Sequence, residues 1–140
     1  MLIGYIDSNV VLSLLLEDDH YVPSLEMWDA CDKRLSSQLL EVETYVNIHR
    51  YGKTFFNEDW IAKKIQLQSQ LMLDVILRPV DDFVIQKIKS NKAITGCKTL
   101  DALHLSTALY FQENSELDIT IMSHDNKVKQ VASKLGFTVY

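Results

Sequence analysis

The chain has little of several residue types: two cysteines, two prolines, four glycines and only three arginines, Arg34, Arg50 and Arg78, in 140 residues. Cys31 and Cys97 lie far apart and form no CxxC pair, which excludes a disulfide framework or a cysteine zinc site and leaves both expected as buried thiols. Gly4, Gly52, Gly96 and Gly136 are isolated, so there is no glycine-rich phosphate loop, and HExxH and GxSxG are absent too. The apolar runs Val10 to Leu16 and Leu71 to Leu77 fall short of the about 20 residues a membrane span needs. Met1 to Asp7 reads as a strand rather than a basic and apolar leader, and a cytoplasmic location is expected. No repeat, low-complexity tract or linker interrupts the sequence, so one domain over residues 1–140 is expected. A net charge of -5 and a pI near 5.3 argue against a protein that coats nucleic acid through a broad basic face.

What is present is a 47% hydrophobic chain in which short β-like runs alternate with helical ones. That alternation predicts an α/β fold of three layers, αβα, around a mostly parallel sheet of about five strands. Strands are expected at Leu2 to Ile6, Ser36 to Leu39, Val75 to Val80, Ile119 to Met122 and Phe137 to Tyr140. Helices are expected from Asn9 to Leu16, from Pro23 with Leu25, Trp28 and Leu35 on one side, and through Val42, Val46 and Arg50 to a stop at Gly52. Further helices follow a capped start at Asn57, run from Asp81 to Lys92, begin at a Thr99 cap and continue to Gln112, and span Asn126 to Leu135 before Gly136.

Ligands of open α/β sheets bind beyond the carboxyl ends of the strands, where strand order reverses. Asp7 ends the first strand, Asp125 lies just past the fourth, and Asp101 sits in the first turn of a largely apolar helix. Glu43 lies within a helix and shares a face with Leu39 and Val46. Singly, Asp7 and Asp125 read as N-caps and Asp101 as a first-turn acid that complements the helix dipole. Glu43 reads singly as a rim glutamate leaning to solvent or pairing with Asn47 or Arg50. Together they read differently: burial and like charge disfavour clustered anions, and a divalent cation is the simplest compensation. Mg²⁺ and Mn²⁺ prefer hard oxygen ligands, and a hydrated ion held by several carboxylates suits phosphodiester hydrolysis without a side-chain nucleophile. The acidic net charge is compatible with such a centre, because the bound ion offsets part of it.

The segments Tyr5-Ile6-Asp7-Ser8-Asn9-Val10, Ser37-Gln38-Leu39-Leu40-Glu41-Val42-Glu43, Thr99 to Ala108 (TLDALHLSTA) and Ser123-His124-Asp125 resemble the four acidic motifs of PIN domains in order and spacing. The third is especially similar to VapC-type toxins of type II toxin–antitoxin systems, and the resemblance covers essentially the whole chain. It implies Mg²⁺- or Mn²⁺-dependent cleavage of RNA, a homodimer, and inhibition by a cognate antitoxin whose C-terminal segment occupies the cleft. It also implies Asp7, Glu43, Asp101 and Asp125 as catalytic, metal-holding residues, supported by Ser8, Asn9 and Ser123.

With few arginines, lysines are the candidate phosphate contacts: Lys98 and Lys127 first, with Lys87, Lys89, Lys92 and Lys129 nearby, against the plain reading of a solvated helix face. His104 could act as an acid or base but reads better as a packed, hydrogen-bonded histidine, and His124 as a surface or supporting residue. Tyr45, Tyr51, Phe55, Phe56 and Trp60 read mostly as helix packing, with a groove or dimer surface as the weaker reading. Three other functions compete. A response-regulator receiver needs an acidic pair after the first strand, where Ser8 and Asn9 stand instead. A solitary PIN nuclease of RNA processing is not separable by sequence. A non-catalytic PIN-fold binding module would have no need of four mutually repulsive acids.

Overall fold

The computed structural model describes all residues from Met1 to Tyr140. In chain order the elements are β1 (Ile3–Ile6), α1 (Ser8–Leu16), α2 (Tyr21–Ala30), β2 (Lys33–Ser37), α3 (Gln38–Phe55) and α4 (Glu58–Met72). There follow β3 (Ile76–Arg78), α5 (Asp82–Ser90), a 3-10 turn (Lys92–Gly96), α6 (Thr99–Ser115), β4 (Ile119–Met122), α7 (Asn126–Lys134) and β5 (Thr138–Val139). The strands form one sheet in the order β3-β2-β1-β4-β5, and every pair is parallel. The fold expected from the alternating pattern is the one found.

Period-2 alternation along the central strands sends side chains to opposite faces. Ile3 and Tyr5 of β1, with Ile119 and Ile121 of β4, join a core that α6 and α7 complete through Leu105, Ala108, Val128 and Val131. Ile6 and Met122 face the other way, into a core with Val10, Val11 and Leu15 of α1, Trp28 of α2 and Ile48 of α3. Because β1 pairs with β2 on one side and β4 on the other, strand order reverses at β1. A crevice therefore opens at the carboxyl ends of β1 and β4.

Several local expectations shift. Leu35 belongs to β2 rather than to the helix before it, and β2 ends at Ser37, whose hydroxyl caps α3 by accepting from Leu39 N. Gly52 does not end α3, which runs on to Phe55. A Cβ at Gly52 would come within 2.1 Å of Ile61 Cγ1, so this glycine is the point where α4 crosses α3. Thr99 is the first residue of α6 rather than its cap, which is Lys98, and a 3-10 turn with no counterpart in the periodicity fills residues 92–96. Cys31 is buried as expected, whereas Cys97 is only half-buried.

Candidate metal and nuclease site

Two of the four acids are built into helix starts. Asp7 leaves β1 in an extended conformation and caps α1, its Oδ1 accepting from Ser8 N at 2.8 Å. Its Oδ2 accepts from Ser123 Oγ at 2.6 Å and from Asn9 Nδ2 at 3.1 Å, so the carboxylate is buried and clamped between the ends of β1 and β4. Asp125 caps α7, accepting from Lys127 N at 2.8 Å and Val128 N at 3.2 Å, while its own N–H donates to Ser123 Oγ at 3.1 Å. The capping roles read from the sequence are thus real. They coexist with a shared location at the sheet edge, because Ser123 touches both acids.

Glu43 is not a rim residue paired with Asn47 or Arg50. Asn47 Nδ2 donates to the Glu43 backbone carbonyl, while the carboxylate turns inward, accepting from Ser8 Oγ at 3.1 Å and meeting His104 Nε2 at 2.5 Å. The other ring nitrogen, His104 Nδ1, lies 2.9 Å from the Tyr5 hydroxyl. Burial pushes the Tyr5 phenol far above its ordinary range, so it stays a neutral hydroxyl. A carboxylate only accepts, so the network puts a proton on Nε2 whatever charge the ring carries. His104 is therefore a buried, hydrogen-bonded histidine as expected, and it is also the residue that aims Glu43. Tyr5 of β1 opens the first acidic motif, two residues before Asp7, but nothing in the sequence gives it this role. The three-residue spacing of Asp101 and His104 was the available signal for the latter.

The electrostatics bind these groups into one unit. Burial raises the Asp7 carboxyl above its ordinary value, His104 and the Ser123 and Ser8 hydrogen bonds oppose this, and Glu43 adds to it. Asp101 is also raised, by partial burial first and then by the charges of Asp7 and Asp125, with Glu43 contributing less. Unlike the other three, Asp101 accepts no hydrogen bond from the protein and pairs with no cation. Its charge is left to be compensated from outside. The donor set, hard carboxylate oxygens with one of them unpartnered, fits Mg²⁺ or Mn²⁺. As the side chains stand, no three His, Cys, Asp or Glu groups are close enough together to hold an ion.

Ser8, Asn9 and Ser123 all touch the acids, as described. Lys98 and Lys127 are exposed at the starts of α6 and α7, beside Asp101 and Asp125 in the chain. Lys87 is engaged elsewhere, by Glu113 of α6. His124 turns away from the acids, its Nε2 lying 2.6 Å from Ser24 Oγ and its ring stacked on His20. Phe56 stacks on Trp60 at 4.3 Å, as helix packing predicts, yet Phe55 and Phe56 stay exposed.

An open parallel αβα sheet with coupled carboxylates at its switch point defines the class. The PIN domain family model matches residues 4–134, and the chain belongs to that family. Among solved structures it is similar to a toxin–antitoxin complex from Klebsiella pneumoniae, at 14% identity over 89% of this chain and 88% of that one, with a TM-score of 0.64. It is similar to VapBC2 from Rickettsia felis, bound there to a DNA fragment from its promoter, at 14% identity over 99% and 98% with a TM-score of 0.64. A third likeness is to VapBC-1 from nontypeable Haemophilus influenzae, at 11% identity over 99% and 97% with a TM-score of 0.60. At such identities the likeness is one of fold. No curated protein matches the sequence significantly. No helix is long and apolar enough to cross a membrane.

Proposed function

We propose that this chain is a metal-dependent endoribonuclease, the toxin of a type II toxin–antitoxin pair, acting as a single cytoplasmic PIN domain that forms a homodimer. The observation that carries the reading is Asp101, a carboxylate at the switch point of the sheet with no hydrogen-bond partner, raised first by partial burial and then by the charges of Asp7 and Asp125. Membership of the PIN domain family supports it, and so do solved toxin–antitoxin complexes of similar fold.

Asp7, Glu43, Asp101 and Asp125 would hold Mg²⁺ or Mn²⁺. When bound, such an ion supplies a water of lowered pKa and neutralises charge on the phosphodiester. The protein's own contribution is positional. Ser123 and Asn9 orient Asp7, and His104 and Ser8 orient Glu43. Lys98 and Lys127 are offered as contacts to the RNA backbone, and a cognate antitoxin as the partner that blocks the cleft.

The test is cleavage of a mixed RNA pool by purified protein with Mg²⁺ or Mn²⁺, beside EDTA and Asp7→Asn controls. Metal-dependent cutting, abolished by Asp7→Asn in a protein whose circular dichroism is unchanged, supports the reading. Absence of cutting by folded, metal-supplied, antitoxin-free protein overturns it.

A further inference from the structure

A cavity of about 350 Å³ opens directly beside the carboxylates, within the range of about 300–1,000 Å³ usual for sites that enclose small organic groups. Asp125 and Asn9 form its rim at the site end. Leu12 and Leu16 of α1 and Tyr51 of α3 give it apolar surface, and Asn47 and Asp18 give it polar edges. No lysine or arginine lines it, whereas two aspartates do, so a phosphate would be repelled from it. What fits is an uncharged group with flat apolar faces and a hydrogen-bonding rim.

Its walls are fixed in advance. The turn between α1 and α2 holds Asp18, whose Oδ1 accepts from His20 N at 3.0 Å while Oδ2 takes no hydrogen bond from the protein. The His124 ring is held by Ser24 Oγ and by stacking on His20 at 4.6 Å, and His124 N–H donates to Asn9 Oδ1 at 3.2 Å. Past Tyr51 the surface continues to exposed Phe55, the two rings 6.0 Å apart.

We propose that this cavity seats one nucleobase of single-stranded RNA, next to the phosphate held at the carboxylates, with Asp18 Oδ2 accepting from an amino group on its edge. This rests on the nuclease reading of the neighbouring site and extends it to substrate choice. Single-stranded RNA is read by splaying bases onto apolar and aromatic surfaces and bonding their edges, and the cavity offers both. Bases with an exocyclic amine, guanine, adenine and cytosine, should be preferred there over uracil.

The experiment measures binding of short oligoribonucleotides, identical but for one base, to the full chain with Ca²⁺ in place of Mg²⁺, and cleavage of the same set with Mg²⁺. The wild type should favour an amino-bearing base over uracil at one position by about tenfold, the effect of one well-placed hydrogen bond to a charged acceptor. Asp18→Asn should bring that ratio close to one, and Tyr51→Ala should weaken all four oligomers together. A ratio unchanged by Asp18→Asn in a protein that still binds RNA overturns the proposal. So does binding of an arginine-bearing peptide that Asp18→Asn abolishes while base preference persists, which would give the cavity to a protein partner. Base-selective binding without cleavage would sink the nuclease reading and keep the subsite; cleavage without base preference would do the reverse.

Discussion

His104 Nε2 on α6 stands 2.5 Å from Glu43 Oε1 on α3, and the Tyr5 hydroxyl of β1 holds the far side of the same ring. Three elements thereby fix the direction of one carboxylate. Outer residues that orient ligands are commonly worth about 10–100-fold in metal affinity or activity. His104→Ala should lower Mn²⁺ affinity and RNA cleavage by about that range, and His104→Gln, which keeps a donor, should restore part of both. Calorimetric Mn²⁺ titration alongside cleavage rates checks this, and equal behaviour of the two variants would show that His104 only fills space.

The raised carboxyls of Asp7 and Asp101 make a prediction about pH. A carboxyl whose folded value exceeds its unfolded one contributes stability that is present below the unfolded value and lost as pH rises through the folded one. Metal-free protein should therefore lose stability as pH rises out of the ordinary carboxylate range, and Mg²⁺ should raise Tm most at neutral pH. Asp101→Asn should raise the Tm of the metal-free protein at neutral pH and abolish the gain from Mg²⁺. A Tm at neutral pH that responds neither to Mg²⁺ nor to Asp101→Asn would contradict the shared site.

His124 has the opposite sign. Burial, then His20 and Lys129, hold its imidazole below the ordinary value of 6.5, so its contribution is present above that value and lost as pH falls. The stability difference between wild type and His124→Asn should shrink on going from neutral pH to about 5.5. Urea melts at the two pH values measure it.

Gly52→Ala should destabilise the fold by about 1–3 kcal/mol, the usual cost of forcing a methyl into a packed contact. The added carbon would overlap Ile61 Cγ1, which is not the free end of a side chain. Gly136 is a different case: it adopts φ 90 after α7 with open space around it, so Gly136→Ala acts through backbone strain of about 1 kcal/mol. Urea unfolding of both variants distinguishes crowding from strain, since adding Ile61→Ala, which removes Cγ1, should offset part of the cost of Gly52→Ala and none of the cost of Gly136→Ala.

The end of β1 and both limits of α7 are legible because each rests on neighbours in sequence: Asp7 after an apolar run, Asp125 before an amphipathic helix, Gly136 after it. Gly52 misleads because a glycine after an apolar helical face looks the same whether it ends the helix or admits another. Leu35 misleads because one leucine between two elements carries no period. The partner that aims Glu43 is not legible in the sequence, since His104 lies 61 residues further on.

The hydrogen bond from Ser123 to Asp7 spans 116 residues, nearly the length of the chain. Ser123 must therefore have left the ribosome before the acidic centre can close, and a nascent chain interrupted earlier carries Asp7 without the serine that clamps it. If the centre cuts RNA, the fold itself withholds that activity until the chain from Asp7 to Ser123 has been made.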